Sequence, residues 1–332
     1  MALTLSDWIR CLPIKLCESE ISGPVVAQTH PWRGYLFVAI ATLGWGAAAT
    51  FGKLVFNGQL LAGQPAISPL VLTQTRVTFS FVLLALFLLL RDGRSAFSIS
   101  RRDLLACMAV GALGLGVSAF FYYVAIQKTT VGVAITVQYT APVWVLTWMT
   151  LRGKEKATGS RIAAVCLALL GVAMTIGLFY GDIRLNTWGV ASAIIASFGF
   201  SFYNIGAREL ITRNRPFTVM TCALLGSMLV WLLINPPWRL VQQHLSAEEW
   251  GILFLFACGS MLVPFAFYFM GLKYLDPTRA VVTSCLEPVF AILLAGIFVH
   301  ETLRALQIAG VLTVLAATMM VQIRSGREQL RS

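Results

Sequence analysis

Glu287 stands alone as a carboxylate inside the apolar run Leu286-Glu287-Pro288-Val289. A charge near the middle of a hydrocarbon-spanning helix is costly and is kept where it binds, relays a proton or pairs with an opposite charge. Three readings are therefore open: Glu287 holds a cationic or amino group, carries a coupling proton, or locks against Arg76. Arg76 lies about seven residues into another apolar run, roughly 10 Å deep at 1.5 Å per residue, with Thr73 and Ser80 on its face. It can pair with Glu287, hold a substrate carboxylate, or snorkel outward. Ser197, Ser201, Asn204 and Arg208 recur at helical spacing and share one face. Such a face lines a cavity or makes interhelical hydrogen bonds, and spacing alone does not separate the two.

These residues have counterparts elsewhere in the chain. Tyr122, Pro142 and Glu155 reappear as Tyr268, Pro288 and Glu301, each pair 146 positions apart. The face of Ser201 has a match 155 positions earlier in Thr42, Gly46, Ala49 and Lys53, with Trp45 beside it. Lys53 and Arg208 fall near helix ends, where they can snorkel or, with Glu155 and Glu301, gate access. The stripe Ala134, Gln138, Ala141, Val145, Trp148 matches Ala280, Ser284, Glu287, Ala291, Leu294. Pro142 and Pro288 each remove a backbone donor and are expected to kink their helices as hinges or inert bends. Trp45, Tyr122, Tyr139, Trp148, Tyr203 and Tyr268 are cavity candidates, although most aromatics of this kind anchor at the membrane interface.

The elements that position these groups are apolar runs of membrane-spanning length, about 20 residues each. Ten candidates occupy 33–56, 69–90, 104–126, 130–151, 160–179, 186–207, 217–235, 250–272, 277–299 and 303–323. The leader and the links after even-numbered segments carry most of the Arg and Lys. The opposite side holds only Lys53, Lys128, Arg184, Arg239 and Arg304. By the positive-inside rule both termini are then expected to be cytoplasmic. Five spans separate the repeated positions, so the second copy is inverted relative to the first, as in many secondary transporters. The expected organisation is a cytoplasmic leader over 1–30, five-helix repeats over 31–180 and 185–323, and a basic cytoplasmic tail over 324–332.

Composition agrees. Hydrophobic residues make up 58% and charged ones 12%, against roughly 45–50% and about 25% in soluble domains. The net charge of +11, from 25 basic and 14 acidic residues, follows the links and so reads as topology; nucleic acid is excluded as a partner. No C-x-x-C pair occurs, and Cys11 and Cys17 in the leader read as free thiols. The leader contains no apolar stretch of signal-peptide type. No H-E-x-x-H, G-x-S-x-G or Walker string is present, which argues against an intramembrane enzyme. No cofactor or metal is called for.

Leu43-Gly44-Trp45-Gly46 followed by Lys53, Arg76 in the second segment, and Leu286-Glu287-Pro288-Val289 with Glu301 downstream together resemble the EamA family of the drug/metabolite transporter superfamily. The resemblance spans about residues 33–323. It implies an all-α membrane protein of ten helices in two inverted repeats. It also implies a transporter, often an exporter, of amino acids, related metabolites or drugs in a bacterial cytoplasmic membrane. Implied partners are the lipid bilayer, a small-molecule substrate and, if Glu287 is the coupling site, protons. Nucleotide-sugar or sugar-phosphate carriage and multidrug efflux are the alternatives within the superfamily. The sequence departs from symmetry where Ala141-Pro142 replaces the Glu-Pro of the second half. Any role of that carboxylate is then confined to one half.

Overall fold

The computed structural model describes residues 31–59, 67–152, 159–175, 178–179, 186–272, 274, 283–284 and 286–329. The leader with Cys11 and Cys17, and Glu155, lie outside the described residues. The described residues are helical, without strands. That follows from the composition: in hydrocarbon each backbone donor and acceptor must find its partner within the segment, which a helix provides.

In chain order the helices are α1 (Pro31–Phe56), α2 (Pro69–Asp92), α3 (Arg101–Val110), α4 (Val117–Lys128), α5 (Val131–Gln138), α6 (Ala141–Leu151) and α7 (Gly159–Thr175). They continue as α8 (Thr187–Ile211), α9 (Pro216–Ile234), α10 (Pro237–Val241), α11 (Ala247–Ala257), α12 (Val263–Leu272), α13 (Leu286–Phe298) and α14 (Ala305–Gln329). A π-helical stretch, Gly111–Gly116, joins α3 to α4, and another, Cys258–Leu262, joins α11 to α12. Among the described residues six continuous helices are long and apolar enough to cross a membrane, and four shorter apolar ones accompany them. Large apolar side chains such as Leu86, Leu105, Leu233 and Ile297 cover the outside of the bundle, a surface suited to lipid.

Polar residues mark the helix starts. Ser68, Ser100, Thr130 and Asn186 accept from backbone amides in the first turns of α2, α3, α5 and α8. Ser246 and Glu249 form a reciprocal capping box at α11. One expectation changes. The fourth segment is not one helix: it breaks at Tyr139–Thr140 into α5 and α6. Arg324 to Gln329, at the start of the basic tail, continue α14.

Glycine sets the closest helix approaches. A Cβ built on Gly226 of α9 would collide with the Met108 carbonyl oxygen of α3, and one on Gly111 with the Ala223 carbonyl oxygen. Gly171 of α7 and Gly310 of α14 meet in the same reciprocal way, each Cβ position lying within 2.7 Å of the other residue's carbonyl oxygen. Small residues that let backbones touch are the usual cement of helices in lipid. The largest apolar cluster draws Val71, Tyr122, Ile135, Ala193, Phe256 and Ala291 from six different helices around the centre of the bundle.

Candidate functional site

Each proline leaves one carbonyl without its intrahelical donor, four residues earlier. For Pro142 that carbonyl is Gln138, which the Ser197 hydroxyl of α8 approaches at 3.4 Å. For Pro288 it is Ser284, which the Tyr139 hydroxyl reaches at 3.0 Å. Tyr139 sits in the α5–α6 break because that break exposes it toward α13, and its hydroxyl also lies 2.9 Å from Glu287 Oε2. A phenol has one proton, so Ser284 and Glu287 share it. Both carbonyls are thus bonded from other helices or turns, and the second lies beside Glu287.

Glu287 is held from behind by α1. Gly46 packs against the Glu287 carbonyl oxygen and the Ala291 amide, with no room for a Cβ. Buried Thr50 donates to the Ala291 carbonyl at 3.2 Å. On the other side of the bundle Ser201 donates to the Ala141 carbonyl at 3.0 Å. Ala141 is the 146-position counterpart of Glu287, and Ser201 the 155-position counterpart of Gly46. The approach is the same, with a hydroxyl where the other half uses bare backbone.

Arg76 does not pair with Glu287. Its Nε donates to Ser260 Oγ at 2.8 Å and one Nη donates to the Ser260 carbonyl at 3.2 Å. Its guanidinium also lies over the rings of Tyr123 and Phe256, 5.7 and 6.0 Å from their centroids. Ser260 offers its carbonyl because it belongs to the π-helical stretch, where the regular ladder is widened. Tyr122 is buried among these groups, with a hydroxyl that has no hydrogen-bond partner among the described residues. It therefore does not anchor at an interface.

The remaining candidates divide. Trp45 stacks edge-on to Phe265 and lies 5.6 Å from the Tyr268 ring; Tyr268 in turn bonds to Ser284. Gln138 donates to Ser118 Oγ at 3.4 Å, and Ser118 to the Ala196 carbonyl at 2.9 Å. Ser197 bonds with Thr140 at 3.0 Å. Asn204 is not drawn into that network: it is exposed and donates to the Phe200 carbonyl of its own helix at 2.7 Å. Trp148 likewise departs from the inward stripe. It is exposed, with Arg152 4.4 Å above its ring. Trp144 instead turns inward to Thr140 and Phe198. The break at Tyr139–Thr140 shifts the helical phase, so a stripe counted straight through it ends on the wrong face. Arg208 lies near the C-terminal end of α8.

Lys53 and Glu301 meet at one end of the bundle. Lys53 Nζ donates to the Ile126 carbonyl at 2.7 Å and the Thr129 carbonyl at 2.5 Å, and stands 3.8 Å from Glu301 Oε1. Glu301 Oε2 accepts from the Val131 amide at 2.8 Å. Lysine thus caps the end of α4 while glutamate caps the start of α5, as the helix dipoles favour. Burial pushes the Glu301 carboxyl up, against the opposing pull of the Val131 amide and Lys53. The folded protein then binds this proton at a higher pH than the unfolded chain does. The resulting contribution to stability is complete below the ordinary carboxylate range and is lost as pH rises through the folded value. Relative to Glu301→Gln, the parent is expected to gain melting temperature on acidification. Parallel melting curves of the two proteins across pH would exclude this.

Sequence reasoning missed Ser260, Thr50 and the buried pair Gln74–Asn235. In that pair each side chain donates, to the Asn235 carbonyl and to Gln74 Oε1, at 2.7 Å in both cases. A lone Ser or Thr in an apolar run carries no signal of its own. Gln74 does, being a full amide two residues before Arg76 in the second segment.

The EamA-like transporter family matches residues 32–177 and again 187–323. The chain is 26% identical over 301 residues to the threonine/homoserine exporter RhtA of Salmonella typhimurium, covering 90% of this chain and 94% of that protein. It is 26% identical over 288 residues to the Escherichia coli protein of the same name, covering 86% and 88%. An uncharacterized transporter of Archaeoglobus fulgidus is 24% identical over 290 residues, covering 87% and 98%. One solved crystal structure superposes with a TM-score of 0.57 at 18% identity, covering 89% of this chain and 98% of the other. That likeness speaks for the fold. Two matches to one family along most of the chain, on an all-helical apolar bundle, make this an integral membrane protein that belongs to the EamA-like transporter family.

Proposed function

We propose that this protein is a secondary transporter exporting small organic solutes of the amino-acid class across the cytoplasmic membrane of a bacterium. In this reading ten helices form two inverted five-helix repeats with both termini in the cytoplasm. Substrate passes by alternating access through the centre between them. The observation that carries it is Glu287, half-buried beside Tyr139 where helices of both halves converge. The repeat reading is supported by the π-helical stretches, since the 146-position offset brings residues 112–116 onto 258–262. The Lys53–Glu301 contact closes one end, and the repeat offsets assign Arg208 and Glu155 the corresponding role at the other.

RhtA proteins are threonine/homoserine exporters, so these two amino acids are the first substrates to try. Purified protein in liposomes should release preloaded radiolabelled threonine or homoserine faster than protein-free vesicles. Absence of flux across all amino acids, with flux of a nucleotide sugar, would reassign the substrate to the other class of carrier. An odd number of spans by topology mapping would overturn the inverted repeat.

A further inference from the structure

Arg76 and Glu287 are two opposite charges in one interior that do not neutralise each other. Each is in Coulombic reach of the other and of Tyr122. Among the described residues no ion pair joins them. Arg76 bonds to Ser260 among the described residues, through two contacts. A guanidinium has five N–H donors, so enough remain for a bidentate carboxylate. Glu287 engages Tyr139 through Oε2, and its Oε1 has no protein partner among the described residues. The buried hydroxyl of Tyr122 is also without one. The rings of Tyr123 and Phe256 wall the guanidinium. An unmet cation, an unmet carboxylate oxygen and an unmet hydroxyl inside one apolar cluster fit a ligand that carries both charges.

We propose that the ligand is an α-amino acid zwitterion bound across this gap, its carboxylate on Arg76, its ammonium on Glu287, and Tyr122 donating to the carboxylate. This rests on the transporter reading above and supplies its substrate chemistry. Direct contact between Arg76 and Glu287 would compete with the substrate, and Ser260 and Tyr139 hold the two side chains to prevent it. A ligand lacking either charge would leave one buried group unpaired, so discrimination against it should be large.

The test compares threonine, threonine methyl ester and N-acetylthreonine, with Kd read from ligand-induced thermal stabilisation of the protein in nanodiscs. The parent should bind threonine at least about 10-fold tighter than either analogue, as expected where a buried charge would otherwise stay unpaired. Arg76→Lys should weaken threonine about 10-fold while leaving the ester within about 3-fold, because only the carboxylate uses the bidentate fork. Glu287→Gln should erase the preference for threonine over N-acetylthreonine. Tyr122→Phe removes a hydroxyl without a hydrogen-bond partner among the described residues, so it should melt like the parent yet bind threonine about 3- to 10-fold less well. A parent that transports threonine, with variants that keep its order of preference, overturns the site and leaves the transporter intact. A parent that neither binds nor moves any amino acid overturns the amino-acid reading and this site with it.

Discussion

Lys53→Met is expected to destabilise the protein by about 3–5 kcal/mol, the usual result of removing one partner from a buried ion pair. Lys53 and Glu301 are each only 12% exposed, so solvent does little to screen what is left behind. The substitution strips the cap from the Ile126 and Thr129 carbonyls and leaves a buried carboxylate beside the Val131 amide. Much of the loss is the cost of that stranded charge rather than the worth of the pair. Glu301→Gln, which can still accept from Val131, should therefore recover part of the stability when added to Lys53→Met. The double-mutant cycle in thermal unfolding then gives a coupling energy of about 1–3 kcal/mol. Additive effects of the two substitutions would show that the 3.8 Å approach carries no energy. The same pair ties α1, the α4–α5 connection and the α13–α14 connection together. If this end opens during transport, Lys53→Met should also raise the rate of opening, read as increased modification of a cysteine placed nearby.

Gly226→Val should be at least as damaging, by roughly 3 kcal/mol or more, since overpacking against backbone leaves no side chain free to yield. A Cβ at Gly226 would lie 2.5 Å from Met108 Cα as well as on its carbonyl oxygen. The reciprocal contact is as close, with Gly111 against the Ala223 backbone. Relieving one clash means separating α3 from α9, which forfeits the other contact. Gly251 is the matched control, because its Cβ would meet nothing within 4 Å. Gly251→Val should shift the melting temperature by less than about 2 °C, whereas Gly226→Val should lower it by more than about 5 °C. Equal shifts would falsify the packing argument.

Glu287 is legible in the sequence because a charge inside an apolar run is an anomaly in one dimension. Pro142 and Pro288 are legible for the same kind of reason, each removing a donor that a helix requires. Their effect follows only in part. A bend is expected and occurs at Tyr139–Thr140, but the change of phase that carries Trp148 outward and Trp144 inward depends on how the chain turns there. Asn204 departs from expectation for a related reason. Helical spacing says which residues share a face, not whether a neighbour covers that face along its full length. Ser197 and Ser201 are covered by α5 and α6, and Asn204 lies beyond them.

The helical, membrane-embedded class, the family and the residues whose charges are costly in lipid can all be read along the chain. Each of these is set by local composition and by spacing along one chain. Partnership is settled in three dimensions. Arg76 takes Ser260 rather than Glu287, Glu287 takes Tyr139, and Lys53 takes two carbonyls as well as Glu301. A charge in an apolar run announces that it needs a partner. Which partner it meets depends on helix breaks and glycine contacts that move facing helices by ångströms, and hydrogen bonds form or fail over that distance.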